Sequence, residues 1–209
     1  MPASVFEEAF HSPDLPPQLQ WMNPPQTWRI EDGALVLQPD AETDFWQRTH
    51  YGFQADNGHL LYAEMADDFV LTTTVRFRPA HQYDQAGLMV RLSPDCWLKT
   101  SVEYEPDEPN RLGAVVTNQG YSDWSTQDFP DDVLALSLRV RREGNTYVVE
   151  YSLDTEPGDD TRWTQIRMAT LLEDDGRTSV LCGLYACSPK GAGFVASFDS
   201  LTLLQGRVA

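Results

Sequence analysis

From Leu134 to Leu153 the chain alternates with a period of two. Leu134, Leu136, Leu138 and Val140 fall on one side of an extended backbone, and Ala135, Ser137, Arg139 and Arg141 fall on the other. Arg142-Glu143-Gly144-Asn145 then turns the chain into a second alternating run, Tyr147–Leu153. A helix repeats every ~3.6 residues and cannot place such a pattern on one face, whereas a strand does so automatically. Similar runs between Gly, Pro, Asn and Asp punctuation predict strands near Leu35–Leu37, Leu60–Ala63, Phe69–Phe77, Ala86–Leu92, Trp97–Tyr104, Leu112–Thr117, Thr164–Met168, Val180–Ala186 and Gly193–Leu203. No segment carries a helical pattern of ordinary length. Tight turns such as Ser93-Pro94-Asp95 make sequential neighbours pair antiparallel. The pattern therefore predicts an all-β fold, a two-sheet antiparallel jelly-roll sandwich.

With 209 residues, of which 41% are hydrophobic and 11% aromatic, the chain can fill one core, and residues 1–209 are read as one domain. A net charge of −17 repels a phosphate backbone and an anionic bilayer alike, so neither nucleic acid nor membrane is expected as a partner. Met1–Phe10 lacks a basic start followed by an apolar run, and no stretch approaches the ~20 apolar residues of a membrane span. Cys96, Cys182 and Cys187 are odd in number and lack metal-type spacing. By parity Cys182 and Cys187 point to opposite faces of one strand, so reduced thiols and a cytoplasmic setting are expected. The proline-rich stretch Pro13–Pro25 reads as an ordered entry loop, with Trp21 and Trp28 packing at an edge.

Strand parity also locates the polar residues. Trp97, Lys99, Ser101, Glu103 and Glu105 share one face, and Leu98, Thr100, Val102 and Tyr104 the other. On the preceding strand Met89 and Arg91 join the polar set. That set predicts the solvated side of a curved sheet. It is either a groove site around Lys99 and Glu103 or the location of a structural Lys99–Glu103 ion pair. Two aromatic segments, Thr43–Gly52 and Thr117–Ser125, are read as loops able to roof the groove. They contribute Trp46 and His50, and Asn118, Tyr121, Asp123 and Trp124. Rings beside amides and carboxylates suit a carbohydrate or another small polar metabolite. With Asp84, Gln85 and Trp97 these residues are the candidate ligand contacts, although Asp84 and Gln85 equally suit turn-capping and backbone-satisfying roles.

Catalytic machinery is not legible. Glu103 and Glu105 approach the lower spacing of a glycosidase pair, but Pro106 ends the strand there. His11, His50, His59 and His81 accompany no nucleophile elbow, phosphate loop or zinc spacing, so no catalytic residue, metal or cofactor is assigned.

The segments TDFWQRTHYG, YDQAGLMVR, CWLKTSVEYE, VVTNQGYSDWS and GLYACSPKGAGFVASFDSLTL, in this order, resemble a concanavalin A-like family of unknown function that includes the fungal regulation of enolase protein. More distantly the chain is similar to the C-terminal β-sandwich module of β-xylosidases. The resemblance implies a lectin/glucanase-type jelly roll with a concave face, and it places Trp46, Asp84, Gln85, Lys99, Glu103, Asn118, Ser122, Asp123 and Trp124 at the family's polar positions. It implies a link to sugar metabolism without a chemistry, because a fold does not carry function. Three roles follow as expectations: a non-catalytic binding or regulatory protein, a protein-interaction module, or a sugar-active enzyme with Glu103 as acid/base and a second carboxylate at Asp84 or Asp123.

Overall fold

The computed structural model describes residues 3–158 and 160–206, with side chains from residue 6 onward. Its strands are β1 (Ala3–Glu8), β2 (Gln20–Met22), β3 (Thr27–Glu31), β4 (Ala34–Gln38), β5 (Phe45–Gln47), β6 (Gln54–Asp56), β7 (His59–Met65), β8 (Phe69–Arg78), β9 (Gln85–Ser93), β10 (Cys96–Glu103), β11 (Asn110–Asn118), β12 (Tyr121–Phe129), β13 (Ala135–Glu143), β14 (Thr146–Ser152), β15 (Thr164–Thr170), β16 (Val180–Cys187) and β17 (Val195–Gln205). The described residues contain no helix.

Two antiparallel sheets face each other. One runs β15-β14-β13-β8-β17-β4-β3, with β1 also paired to β17, and the other runs β12-β11-β10-β9-β16-β7-β2. The alternation read from the sequence decides what each sheet buries. Leu136, Leu138 and Val140 of β13 and Leu71 and Val75 of β8 meet Leu88, Val90, Leu98, Val102 and Leu184 of the second sheet in one continuous core. Each such side chain contributes roughly 1.5–3 kcal/mol on burial, which makes this layer the main source of stability.

Every strand read from the sequence is present within a few residues. The elements missed are short or polar on both faces. β12 lies inside and beyond the segment read as the 117–125 loop, because Tyr121-Ser-Asp-Trp-Ser-Thr-Gln-Asp-Phe129 shows no apolar alternation. As an edge strand it is specified by its ladder to β11, with Val115 opposite Trp124 and Thr117 opposite Ser122. β5 lies within the 43–52 segment, and β2 within the proline-rich entry. Trp21 and Trp28 do pack at the edge, on β2 and β3, with ring centroids 5.8 Å apart. Cys182 and Cys187 lie in different clusters on opposite faces of β16, and both are free thiols.

One polar clasp closes the β13–β14 end. Arg142 is fully buried, donates to both oxygens of Asp174 (2.9 and 2.5 Å) and to the carbonyls of Ala66, Gly144 and Thr178, and the Tyr147 hydroxyl donates to the same carboxylate. Burial and that carboxylate together push the Tyr147 phenol well above its ordinary range. A buried pair is costly to leave half made. Asp174→Asn is therefore expected to lower unfolding free energy by about 3–5 kcal/mol in urea titration, and Tyr147→Phe by about 1 kcal/mol.

Candidate functional site

The polar set predicted on β9 and β10 does share one face of the second sheet. Antiparallel register lines it up in rows: Arg91–Trp97–Thr117–Ser122, Met89–Lys99–Val115–Trp124, Gly87–Ser101–Gly113–Thr126 and Gln85–Glu103–Arg111–Asp128. The expectation that this face is solvated is corrected by the structure. Trp97 and Met89 are inaccessible, and Lys99 and Arg91 are 3% and 4% exposed. The reason is the β5–β6 hairpin, which lies across the face and drives Phe45 between Trp97 and Tyr185, at centroid distances of 6.3 and 6.5 Å. Phe45, Leu60, Met89, Trp97, Val115, Tyr185 and Cys187 thereby form a second apolar cluster outside the main core.

The hairpin also supplies counter-charges. Asp44 accepts from Lys99 Nζ at 3.0 Å, and Asp56 accepts both terminal nitrogens of Arg91 at 2.6 and 2.8 Å. The structural alternative to a groove was a Lys99–Glu103 ion pair, and this too is corrected: the partner of Lys99 is Asp44, which comes from a segment 55 residues away and could not be paired from strand parity. Lys99 also sits 5.8 and 5.6 Å from the ring centroids of Trp97 and Tyr185. Burial works against its charge, yet the Asp44 carboxylate, by its charge and its hydrogen bond, leads the groups that hold its pKa above the usual lysine value.

Between the Lys99 and Glu103 rows lies a strip almost without side chains. A Cβ on Gly87 would stand 2.0 Å from the Thr100 carbonyl oxygen, and one on Gly113 would stand 2.2 Å from that of Ser125, so neither position admits another residue. Tyr185 spans the Gly87 side, its hydroxyl 2.7 Å from Ser101 Oγ and 3.2 Å from Gln85 Oε1. On the Gly113 side the wall is β12, where Trp124, Thr126 and Asp128 are exposed. Four residues along a strand span roughly 13 Å, which sets the distance between the two bounding rows. The result is a shallow dip, or trough, in the sheet face, floored by Ser101 and Gly113, both of them buried.

Glu103 bounds this trough. Half-buried, it accepts from Gln85 Nε2 at 3.0 Å, while its cross-strand neighbour Arg111 is engaged by Asp128 and Glu108. Burial raises its pKa to about 8, against the pull of Lys99 and with help from Asp44 and Glu105. At neutral pH the carboxyl is mostly protonated, and so both donates and accepts hydrogen bonds.

The remaining candidates divide by role. Asp84 is buried, accepting from the Ala80 and His81 amides and from Ser188 Oγ, as a turn-capping residue does. Gln85 joins Tyr83 O, Glu103 and Tyr185. Trp97 Nε1 donates to Pro94 O and Trp46 Nε1 to Thr49 O. Asn118 bridges to the Thr170 carbonyl and the Leu172 amide, away from the trough. Asp123 pairs with Arg167, and Tyr121 is 62% exposed with Arg48 over its ring. Sequence reasoning missed Asp44, Asp56, Gly113 and Arg111; of these only Gly113, a glycine inside an alternating strand, carried a local signal. A separate recess of about 240 Å³ lies at the opposite edge of the sheet, lined among others by Gln20, Tyr62, Glu64 and Met65.

Two measurements follow. The folded Glu103 carboxyl keeps its proton to about pH 8, whereas the unfolded one releases it near the ordinary 4.5. Across that window the native state binds more protons, so the contribution of this group to stability falls as pH rises. Glu103→Gln is expected to flatten the fall, leaving the variant on the order of 2 kcal/mol more favourable relative to wild type at pH 8.5 than at pH 4.5, read from paired denaturation curves. In a double-mutant cycle, Lys99→Met with Asp44→Asn is expected to cost about 1–3 kcal/mol less than the two single changes summed.

Residues 21–205 match the family model described as protein of unknown function DUF1349. The chain is 35% identical over 189 residues to the Saccharomyces cerevisiae protein named regulation of enolase protein 1, covering 90% of each. A crystal structure of a functionally unknown protein from Saccharomyces cerevisiae superposes with a TM-score of 0.81 at 34% identity, covering 91% of this chain and 98% of that one. Xylan β-1,4-xylosidase from Bacillus halodurans C-125 (TM-score 0.74, 16% identity) and the GH43 BlXynB protein from Bacillus licheniformis (0.70, 18%) share the sandwich: 95% and 96% of this chain lies on 39% of each enzyme, a likeness of fold alone. With the model matched from residue 21 to 205 and the yeast relative alike over nine-tenths of both chains, this chain belongs to the DUF1349 family.

Proposed function

We propose that this chain is a non-catalytic binding protein linked to carbohydrate metabolism, acting in the cytoplasm, that holds a small polar ligand of the carbohydrate class over Ser101 and Gly113. The observation that carries this reading is Glu103, a half-buried carboxyl that accepts from Gln85 at the edge of a trough floored by Ser101 and the bare Gly113, with burial pushing its pKa up to about 8. A hydroxyl-rich ligand needs groups that donate and accept in the same place. Protonated Glu103 with Gln85 offers that, and Trp124, two strands along the same sheet on β12, offers a ring face. The name of the yeast relative supports a regulatory role in sugar metabolism.

The enzymatic alternative is weaker on the same geometry. It required a second carboxylate at Asp84 or Asp123; Asp84 is engaged by two amides and a hydroxyl, and Asp123 by Arg167. Asp44, the carboxylate nearest in effect, is committed to Lys99. A thermal-shift screen of monosaccharides, oligosaccharides and sugar phosphates tests the reading. One class is expected to raise the melting temperature saturably, with the rise reduced at least tenfold in apparent affinity for Glu103→Gln, about 1.4 kcal/mol. Absence of any rise, with the protein folded, would transfer the face to a protein partner.

A further inference from the structure

The second sheet ends on one side in a long bare edge. Among the described residues β12 is the longest edge strand of either sheet, at nine residues, and no strand pairs with its outer side. Edge strands are usually blunted by a bulge, a proline, a lysine or brevity. β12 has none of these. Its ladder to β11 runs from Asn118–Tyr121 to Asn110–Phe129 without a register shift, Pro130 stands only beyond its end, and its sequence lacks lysine. The other edges are shorter or interrupted, β2 by stopping at three residues and β15 by a bulge against β14. The two acids on β12 that could hold off another strand are answered within the chain, Asp123 by Arg167 and Asp128 by Arg111. Six of the nine residues are exposed, so the strand is uncovered.

We infer that β12 pairs antiparallel with β12 of a second copy of this chain, about a two-fold axis at Ser125, and that the homodimer joins two seven-stranded sheets into one. A two-fold axis normal to the sheet keeps its faces, so each residue opposes one of its own parity. Centred on Ser125, the pairing uses all nine residues: Tyr121 opposes Phe129 of the second copy, Ser122 opposes Asp128, Asp123 opposes Gln127 and Trp124 opposes Thr126. No like charges meet. Centring on Asp123 or Asp128 would set two carboxylates against each other, and any other centre leaves a strand end unpaired. Shape selects the same register. Tyr121 projects with 62% exposure at one end of β12, and at the other end a shallow recess of about 320 Å³ is lined by Pro109, Asp128, Phe129, Pro130 and Asp131. Antiparallel pairing brings each Tyr121 to the recess of the other copy. Arg48, whose guanidinium lies 5.8 Å from the Tyr121 ring centroid, travels with it toward the acidic end that carries Asp131 and Asp132. The pairing does not depend on what the trough binds, but it alters the trough's wall. β12 becomes an interior strand, and the Trp124 residues of the two copies stand diagonally on one face at roughly 7–8 Å.

The experiment is sedimentation equilibrium of the full chain from micromolar to millimolar concentration, at low and at physiological salt. A reversible equilibrium between one and two copies is expected. Because two bodies of net charge −17 repel each other, it is expected to strengthen as salt is added. Gln127→Asp sets a carboxylate against Asp123 of the second copy on both sides of the axis and is expected to weaken the dimer about tenfold, whereas Gln127→Lys is expected to tighten it several-fold. Gln127 is exposed, so both variants are expected to keep the circular dichroism and melting temperature of the parent. Tyr121→Ala is expected to weaken the dimer about tenfold by leaving the recess unfilled. A chain that stays monomeric at every concentration and salt would overturn the proposal. So would a dimer indifferent to both changes at Gln127 and to Tyr121→Ala, because its contact would then lie on another surface.

Discussion

A sheet in a two-layer sandwich normally buries one face and leaves the other to water, and the architecture of this molecule turns on the exception. The second sheet has both faces covered, one by its partner sheet and the other by fourteen or so residues around β5 and β6. Once the hairpin is in place, Phe45 excludes water from Trp97 and Tyr185, and two cations on the sheet lose their hydration. Each must then meet a carboxylate, and Asp44 and Asp56 are those carboxylates. Lys99 keeps its charge only because the covering layer carries the opposite one. The neutral state of Glu103 follows from the same arrangement, since Lys99 has its partner elsewhere and burial dominates over its attraction.

The limits of the cover define what is left for function. The hairpin extends over β16, β9 and β10 and reaches the start of β12 at Ser122, whose hydroxyl accepts from the Gln47 amide at 2.9 Å, and at Tyr121, whose ring centroid lies 5.8 Å from the Arg48 guanidinium. Beyond that point Trp124 and Thr126 are exposed and Glu103 is half-buried, while Ser101 and Gly113 between them are buried. The trough is thus the part of the face beside the hairpin, bounded by Tyr185 and the packed hairpin on one side and an edge strand on the other. The glycine floor is a matter of backbone approach and not of flexibility, since a methyl group at either glycine would collide with a carbonyl of the adjacent strand.

Most of the fold was legible because period-two alternation is a local property: Leu134–Val140 reports its two faces without reference to any other residue. β12 escaped because an edge strand with polar residues on both sides has no such signature, and its ladder to β11 is specified by the partner. The face shared by Trp97, Lys99, Ser101 and Glu103 was legible for the same reason that the strands were. That the face is covered was not. Burial of Lys99 depends on Asp44, and of Arg91 on Asp56, 35 residues away, and no spacing rule joins them. Asp84 was read equally as a ligand and a cap; its three donors make it a cap.

The β5–β6 hairpin has a property that the sandwich strands lack. Its three-residue strands pair only with each other, so no backbone ladder connects the hairpin to either sheet. Its attachment runs through side chains, namely a phenyl plug, two carboxylates, the Ser122 hydroxyl that accepts from the Gln47 amide, and Arg48, which donates to the Gly120 carbonyl. Length and sequence at the tip can therefore drift without disturbing the register of any sheet strand, as long as Phe45, Asp44, Asp56 and Arg48 are retained. Recognition in such a molecule can diversify by rewriting one short insert, while the scaffold beneath it is inherited unchanged.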